Sequence, residues 1–148
     1  LGVKFLEKGR VFNLDQVKAA VKSKNLEIQK GDVVLFHTGW TDAKFKSNPD
    51  EWGSGAPGID PEVAEYLADI GVIAVGADTW SLDAVPPKIE TEPYPGHLIL
   101  LQKNGIYILE TMNTGPLVRD NVKEFLFVLG QAKVKGAVQM IINPVAIR

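Results

Sequence analysis

The sequence predicts a layered α/β fold built on two sheets, at least one of them incomplete. A helix that begins at Asp60-Pro61 and ends at Gly71 leads directly into an apolar run at 72–76. A helix followed at once by a buried strand is typical of a parallel sheet covered by helices. Further short predicted strands at 125–129, 133–135, 140–142 and 145–147 indicate an antiparallel or mixed layer. Neither a repeat nor a low-complexity segment divides the 148 residues, so we expect a single domain over 1–148.

The composition is that of an ordinary soluble globular protein. Hydrophobic residues make up 45% of the chain, and the formal net charge is −2. A nucleic-acid partner is not expected, because the sequence has neither a basic run nor an aromatic ladder. A membrane is not expected either, because apolar runs stay well short of the roughly 20 residues that span a bilayer. The chain contains no Cys, which excludes disulfides and thiolate chemistry. With no leader visible, we expect a cytoplasmic protein.

The first predicted helix and strand occupy the beginning of the chain. Asn13 and Gln16 form the pattern of a capping box, which predicts a helix from about Leu14 to Lys24. The apolar run at 32–37, bounded by turn residues, predicts a strand buried on both faces. His37 ends that strand.

A polar stretch from Thr38 to Ile59 is predicted to be a long surface loop. Gly and Pro are interleaved there with Trp40, Phe45 and Trp52. Loops of this length are often binding segments or lids. The aromatic side chains are also compatible with a structural role, as anchors of the loop on the core.

The loop after the strand at 72–76 is a candidate binding region. In parallel sheets, ligands gather at the carboxyl ends of strands, where Asp78, Ser81 and Asp83 would lie. Asp and Ser also cap loop backbones routinely, so turn chemistry remains an alternative for Ser81 and Asp83. The proline-rich residues 84–95 are expected to form a rigid irregular loop.

His97 and Glu110 are the candidate metal ligands. They lie on apolar runs at 96–102 and 106–112, and Asn104-Gly105 between the runs predicts a β-hairpin. A two-residue loop would make His97 and Glu110 diagonal neighbours on one face, about 7–8 Å apart at the backbone. A three-residue loop would separate them. A His and a Glu hydrogen-bonded to each other inside a sheet is the alternative, since buried charges are normally paired.

The site looks incomplete on chemical grounds. A catalytic zinc usually takes three protein ligands and leaves one position for water. The chain has two His, and beyond His97 and Glu110 the remaining candidates are His37, Asp78 and Asp83. The chain also begins at Leu1-Gly2 without Met, from which we expect that an N-terminal part is missing.

Seven blocks of the sequence resemble the cyclase family, the metal-dependent hydrolases that include bacterial kynurenine formamidase and isatin hydrolase. In order, they are 31–40 (GDVVLFHTGW), 57–59 (PGI), 75–83 (VGADTWSLD), 97–101 (HLILL), 108–113 (ILETMN), 133–137 (KVKGA) and 144–147 (PVAI). The resemblance implies a layered β/β/α fold of the swivelling type with mixed sheets. It implies that His97 and Glu110 bind a divalent metal, Zn or Mn. It places Trp40 and the loop containing Asp78, Ser81 and Asp83 near the substrate pocket, as orienting and structural groups.

The sequence departs from the family pattern in two places. The family's hallmark, of the type His-x-Gly-Thr-His-x-Asp-x-Pro-x-x-x-His, supplies the other metal ligands and a catalytic His, and it is absent. Residues 136–144 differ from the Gly, Ser, Pro and Arg common in the family. The catalytic residue is therefore unknown, and the chain is interpreted as the C-terminal portion of such a protein.

Three functions are compatible with this sequence. The first is a metal-dependent hydrolase of an amide or cyclic amide, whose intact form completes the site. Its substrate would be a small amide. Three tryptophans are compatible with an aromatic substrate, but anchoring of the core or of a loop explains them equally well. The second is a non-catalytic relative that binds a ligand. The third is an assembly module, because a cut layered fold exposes sheet edges. A homo-oligomer, or pairing with the missing N-terminal half, is expected.

Overall fold

The computed structural model describes residues 3–148, so the expectation drawn from Leu1 and Gly2 lies outside the described residues. Within that range three small sheets are present, not the two expected. In chain order the elements are β1 (Val11–Phe12), α1 (Leu14–Ser23), β2 (Val33–Phe36), α2 (Trp40–Lys44), α3 (Pro49–Gly53), β3 (Gly58–Ile59), α4 (Pro61–Ile70), β4 (Ala74–Ala77), α5 (Pro95–His97), a π-helical segment (Leu98–Lys103), β5 (Tyr107–Leu109), α6 (Gly115–Arg119), β6 (Leu126–Val128) and β7 (Val145–Ile147). The mixture of parallel and antiparallel strands with helices confirms the predicted layered α/β class.

The central sheet is parallel, with strand order β2-β4-β5. Every residue of β4 is buried, which fits its position between two neighbours. Helix α4 leads into this strand through Gly71 and packs Val63 and Leu67 into the same core as Val75. The predicted helix-then-strand unit is therefore confirmed.

The two main helices begin and end as their sequences indicate. Asn13 caps α1 in a reciprocal capping box, in which its side chain accepts from the Gln16 backbone while the Gln16 side chain accepts from the Asn13 backbone, each at 3.0 Å. The Asp60 side chain caps α4, and Gly71 ends it in the left-handed conformation with φ +87°.

The prediction of a surface loop over 38–59 is wrong for much of its length. Two short helices, α2 and α3, lie there, and β3 at its end pairs with β1 in parallel. Trp40 is fully buried, so burial of aromatic surface holds this segment on the core. The Asn48 side chain accepts from the Glu51 backbone and so caps α3.

The predicted hairpin is also wrong. Residues 95–103 are helical, and β5 pairs with β4 in parallel instead of pairing with 96–102. Ile99 and Leu100 are buried in the core that α4 lines, and this tertiary packing outweighs the strand propensity of the run. Asn104-Gly105 ends the helical segment, with Gly105 at φ +64°. The same dipeptide favours a helix terminus as well as a hairpin turn.

The C-terminal layer contains fewer strands than predicted. β6 and β7 form one antiparallel pair, whereas 133–135 and 140–142 are irregular. Val138 and Ile141, at 97% and 101% relative exposure, contribute to no core in the described part of the chain. The irregular loop at 84–95 agrees with the prediction. Between residues 3 and 148, none of the helices has the length and apolar character needed to cross a membrane.

Gly76 offers a test of the central sheet. A Cβ atom added there would lie 2.6 Å from the Leu109 carbonyl oxygen and 2.8 Å from a Leu35 methyl group. We expect Gly76→Ala to lower the free energy of unfolding by about 1–3 kcal/mol, because β2, β4 and β5 must move apart. Gly130→Ala, where nothing lies within 4 Å of the added atom, is the control for urea unfolding. Equal stability of the two variants would contradict the close packing of β4.

Candidate functional site

The carboxyl edge of the parallel sheet collects most of the candidate residues. Asp78 directly follows β4, and Glu110 directly follows β5. The loop after β4 continues to Asp83, and His97 ends α5. Ligands bind at this edge in many parallel sheets, and a binding role for these residues stays a prediction.

His97 lies between two carboxylates. Its ring Nδ1 is 2.6 Å from Asp83 Oδ2, and its Nε2 is 3.5 Å from Glu110 Oε1. The Asp83 side chain is 3% exposed, whereas the His97 and Glu110 side chains are each 30% exposed. Asp83 therefore holds one side of the ring from inside the protein, and the other side faces Glu110 where solvent has access.

Backbone groups fix both carboxylates. Asp83 accepts hydrogen bonds from the backbone N–H groups of Gly96 at 2.7 Å and His97 at 3.1 Å. The backbone N–H of Leu82 donates to Glu110 Oε1 at 2.9 Å. Two adjacent residues of one loop thus hold the candidate metal ligands: Leu82 contacts Glu110, and Asp83 contacts His97.

The electrostatics of the cluster shift two pKa values in the same direction. The hydrogen bond to Asp83 raises the pKa of His97, while burial of the ring opposes this and the charges of Asp83 and Glu110 add to it. Burial raises the pKa of Glu110, against the opposing effects of the Leu82 hydrogen bond and the imidazole. With His97 neutral, two carboxylates face one uncharged ring, and the cluster favours an added positive charge.

The other predicted pocket residues are held inside the protein. Asp78 is buried and accepts hydrogen bonds from the Thr38 backbone at 2.7 Å and the Thr38 hydroxyl at 2.8 Å. The buried Ser81 hydroxyl donates to the Asp83 carbonyl at 2.8 Å. Trp40 is fully buried. A role in contact with substrate stays a prediction for these residues, and their geometry is that of structural groups.

His37 lies apart from this cluster. Its Nδ1 is 2.8 Å from the hydroxyl of Thr114, beyond the end of β5. Across residues 3–148, no group of three or more His, Asp or Glu side chains is arranged to hold a metal ion. The structure therefore brings together His97 and Glu110, but leaves out the third expected ligand.

Two cavities border this region. One, of about 520 Å³, includes Glu110, the apolar residues Leu35, Phe125 and Phe127, and Arg148 in its wall. A smaller one, of about 180 Å³, lies between the N-terminal end of α4 and the loop at 84–95, and Asp83 lines it. The larger cavity lies next to one member of the His97–Glu110 pair, and its wall contains both polar and apolar groups.

The contact between Asp83 and His97 was missed by sequence reasoning. The two residues are separated by the proline-rich stretch at 84–95, whose path depends on tertiary contacts. The backbone donation from Leu82 to Glu110 carried no sequence signal. Gly96, directly before His97, is a signal that could have indicated a close approach of another chain segment at this point.

Comparison with known proteins gives one family match. Residues 3–84 match the model of a family described as "Putative cyclase". No curated protein matches the chain.

Solved structures resemble the chain in fold. A structure described as a novel cyclase has a TM-score of 0.80 and 22% identity, covering 97% of this chain and 48% of its own. An isatin hydrolase bound to the product analogue thioisatinate has a TM-score of 0.77 and 21% identity, covering 95% and 53% respectively. A potential metal-dependent hydrolase with cyclase activity has a TM-score of 0.59 and 23% identity, covering 97% and 65%. The chain thus spans about half the length of the first two.

Asp78 can be tested as a structural group. We expect Asp78→Ala to lower the free energy of unfolding by about 2–3 kcal/mol, because the buried N–H and hydroxyl of Thr38 lose their acceptor. Asp69→Ala, on the exposed side of α4, is the control and should change stability little. Chemical unfolding monitored by tryptophan fluorescence measures both variants. A stable Asp78→Ala protein would leave Asp78 free for a ligand-binding role.

Proposed function

The chain belongs to the cyclase family, and from this premise we propose that the whole protein is a metal-dependent hydrolase of an amide or cyclic amide. The observation that carries the proposal is the approach of His97 Nε2 to Glu110 Oε1 at 3.5 Å, with Asp83 holding the other ring nitrogen. Structural neighbours described as an isatin hydrolase and as a metal-dependent hydrolase are in keeping with this proposal.

The residues present fit a divalent cation. Two ligands of a tetrahedral zinc, each about 2.0–2.2 Å from the ion, lie about 3.3–3.5 Å from each other. The separation of His97 Nε2 from Glu110 Oε1 is 3.5 Å. An imidazole nitrogen and a carboxylate oxygen are suitable ligands for Zn or Mn. The second ring nitrogen of His97 is bonded to a carboxylate, an arrangement found around metal-bound histidines.

The charge of the cluster supports the same proposal. Asp83 and Glu110 contribute two negative charges when both are ionised, and neutral His97 contributes none. A divalent cation between His97 and Glu110 would balance them. Such a cation supplies a Lewis acid for an amide carbonyl and lowers the pKa of water.

The chain's own residues would orient the substrate and the ligands. The Leu82 backbone N–H holds one oxygen of Glu110, which limits rotation of that carboxylate. Leu35, Phe125 and Phe127 form an apolar part of the wall of the larger cavity beside Glu110, and the rest of that wall also contains polar groups. We propose that this surface binds the body of a small amide, with an aromatic group favoured by the phenylalanine rings.

Completion of the site requires more than this pair. A catalytic zinc takes three protein ligands, and His97 and Glu110 supply two of them. We propose that the remaining ligands and the catalytic His are contributed by polypeptide outside this sequence or by a second chain. The expected homo-oligomer and the cytoplasmic location stay predictions.

Metal content tests the ligand assignment. In protein produced from the complete reading frame, we expect His97→Ala and Glu110→Ala each to reduce bound Zn or Mn from stoichiometric to trace amounts. Elemental analysis by mass spectrometry measures the content. His37→Ala is the matched control, because His37 lies at the same sheet edge but contacts Thr114 instead. Full metal content in both site variants would refute the assignment.

Substrate class is tested separately. We expect the metal-loaded protein to hydrolyse N-formyl arylamines or cyclic aryl amides, and a chelator to abolish that activity. Release of the carboxylate product is followed by chromatography across a panel that includes aliphatic amides. Stoichiometric metal without hydrolysis of any panel member would favour the alternative, a non-catalytic cyclase-fold protein for ligand binding or assembly.

A further inference from the structure

We infer that Asp83 and Gly96 act together as positioning residues that fix His97 as its Nδ1–H tautomer and direct Nε2 at Glu110. The inference rests on the proposed function, because an unprotonated Nε2 that faces a carboxylate can bind a cation together with that carboxylate. It assigns a role to two residues that would not themselves be metal ligands.

Asp83 determines which ring nitrogen carries the proton. It is almost fully buried, and its two oxygens lie 2.6–3.1 Å from three nitrogens, namely the backbone N–H groups of Gly96 and His97 and the ring Nδ1 of His97. An ionised carboxylate can only accept hydrogen bonds, so Nδ1 of His97 must donate. In neutral His97 the lone pair then lies on Nε2, the nitrogen that faces Glu110. Without Asp83, both tautomers would be available to the ring.

Gly96 makes this contact sterically possible. A Cβ atom at Gly96 would lie 2.7 Å from Asp83 Oδ1 and 3.2 Å from both Asp83 Cγ and Oδ2. Since real Cβ atoms essentially never come within 3.0 Å of a neighbour, any larger residue would displace the carboxylate or the start of α5. The absence of a side chain at position 96 therefore lets Asp83 reach the backbone and ring of His97 together.

The segment that carries His97 is packed in place both after that residue and before it. After His97 the chain continues into the π-helical segment, in which Ile99 and Leu100 are buried in the core. Before it, the ring of Tyr94 packs edge-on against the imidazole, with centroids 5.6 Å apart. Because the backbone is held in this way, what remains variable is the orientation and the tautomer of the ring, and Asp83 determines both.

Histidine nitrogen NMR tests the inference directly. In the whole protein, metal-free and at alkaline pH, ¹⁵N-labelled His97 should show the Nδ1–H tautomer. In Asp83→Asn only one side-chain oxygen accepts, and the N–H₂ group that replaces the other oxygen donates, so we expect the spectrum to move away from the Nδ1–H tautomer. An Nε2–H tautomer in the unaltered protein, or an unchanged spectrum in Asp83→Asn, would overturn the inference.

Gly96→Ala provides a second variant, in which the residues His97, Glu110 and Asp83 are unchanged but the added Cβ displaces the Asp83 carboxylate or the start of α5. We expect about 10–100-fold weaker Zn or Mn binding for both Asp83→Asn and Gly96→Ala, the usual cost of losing support for a ligand. Gly53→Ala is the control, because nothing lies within 4 Å of its added Cβ. Affinity is measured by competition with a chelating dye, and circular dichroism checks folding. Should Asp83→Asn fail to fold, the metal affinity of Gly96→Ala and the NMR spectrum of the unaltered protein still test the inference.

The two proposals fail in different ways. Metal binding that survives in both positioning variants overturns the role of Asp83 and Gly96 but leaves the hydrolase proposal intact. An Nδ1–H tautomer in a protein that binds neither Zn nor Mn supports the orientation of His97 and overturns the proposed function.

Discussion

The hydrogen bond from His97 Nδ1 to the buried carboxylate of Asp83 is the interaction on which the candidate site depends. It joins the loop after β4 to the helical segment that begins at Pro95, across a proline-rich connection. The two backbone bonds that Asp83 also accepts place the start of that segment. A buried carboxylate that accepts hydrogen bonds from three protein donors is satisfied internally, so it does not need water at this position.

The parallel sheet supplies the second half of the arrangement. The first three residues of β4 pair with β5, and Glu110 follows β5 at the same edge where the loop to Asp83 begins. Gly76 allows the Leu109 carbonyl to approach β4 closely. The distance between Glu110 and His97 is thus set by strand register on one side and by Asp83 on the other, and neither residue depends on a flexible loop alone.

The sequence predicted those features of the fold that depend on neighbouring residues alone, such as the ends of helices. The capping box at Asn13, the start of α4 at Asp60 and its end at Gly71 require only neighbouring residues, and the structure has them. The hairpin prediction failed because Asn104-Gly105 is compatible with two backbone geometries, and burial of Ile99 against distant residues selects between them. His97 and Glu110 are indicated both by the resemblance to the cyclase family and by a predicted hairpin that does not form, so their 3.5 Å approach has a different cause from the one expected.

That difference has a physical consequence for how the pair is maintained. In a hairpin, cross-strand hydrogen bonds next to the turn would hold the two side chains near each other with little help from the rest of the chain. Here His97 is placed by helical packing on the core, and Glu110 by a parallel strand that needs β4 as its partner. Parallel pairing and core packing are both long-range contacts that form only with the folded domain. The His97–Glu110 pair is therefore a property of the assembled core, and any change that loosens β4 or the π-helical segment acts on the site without touching it.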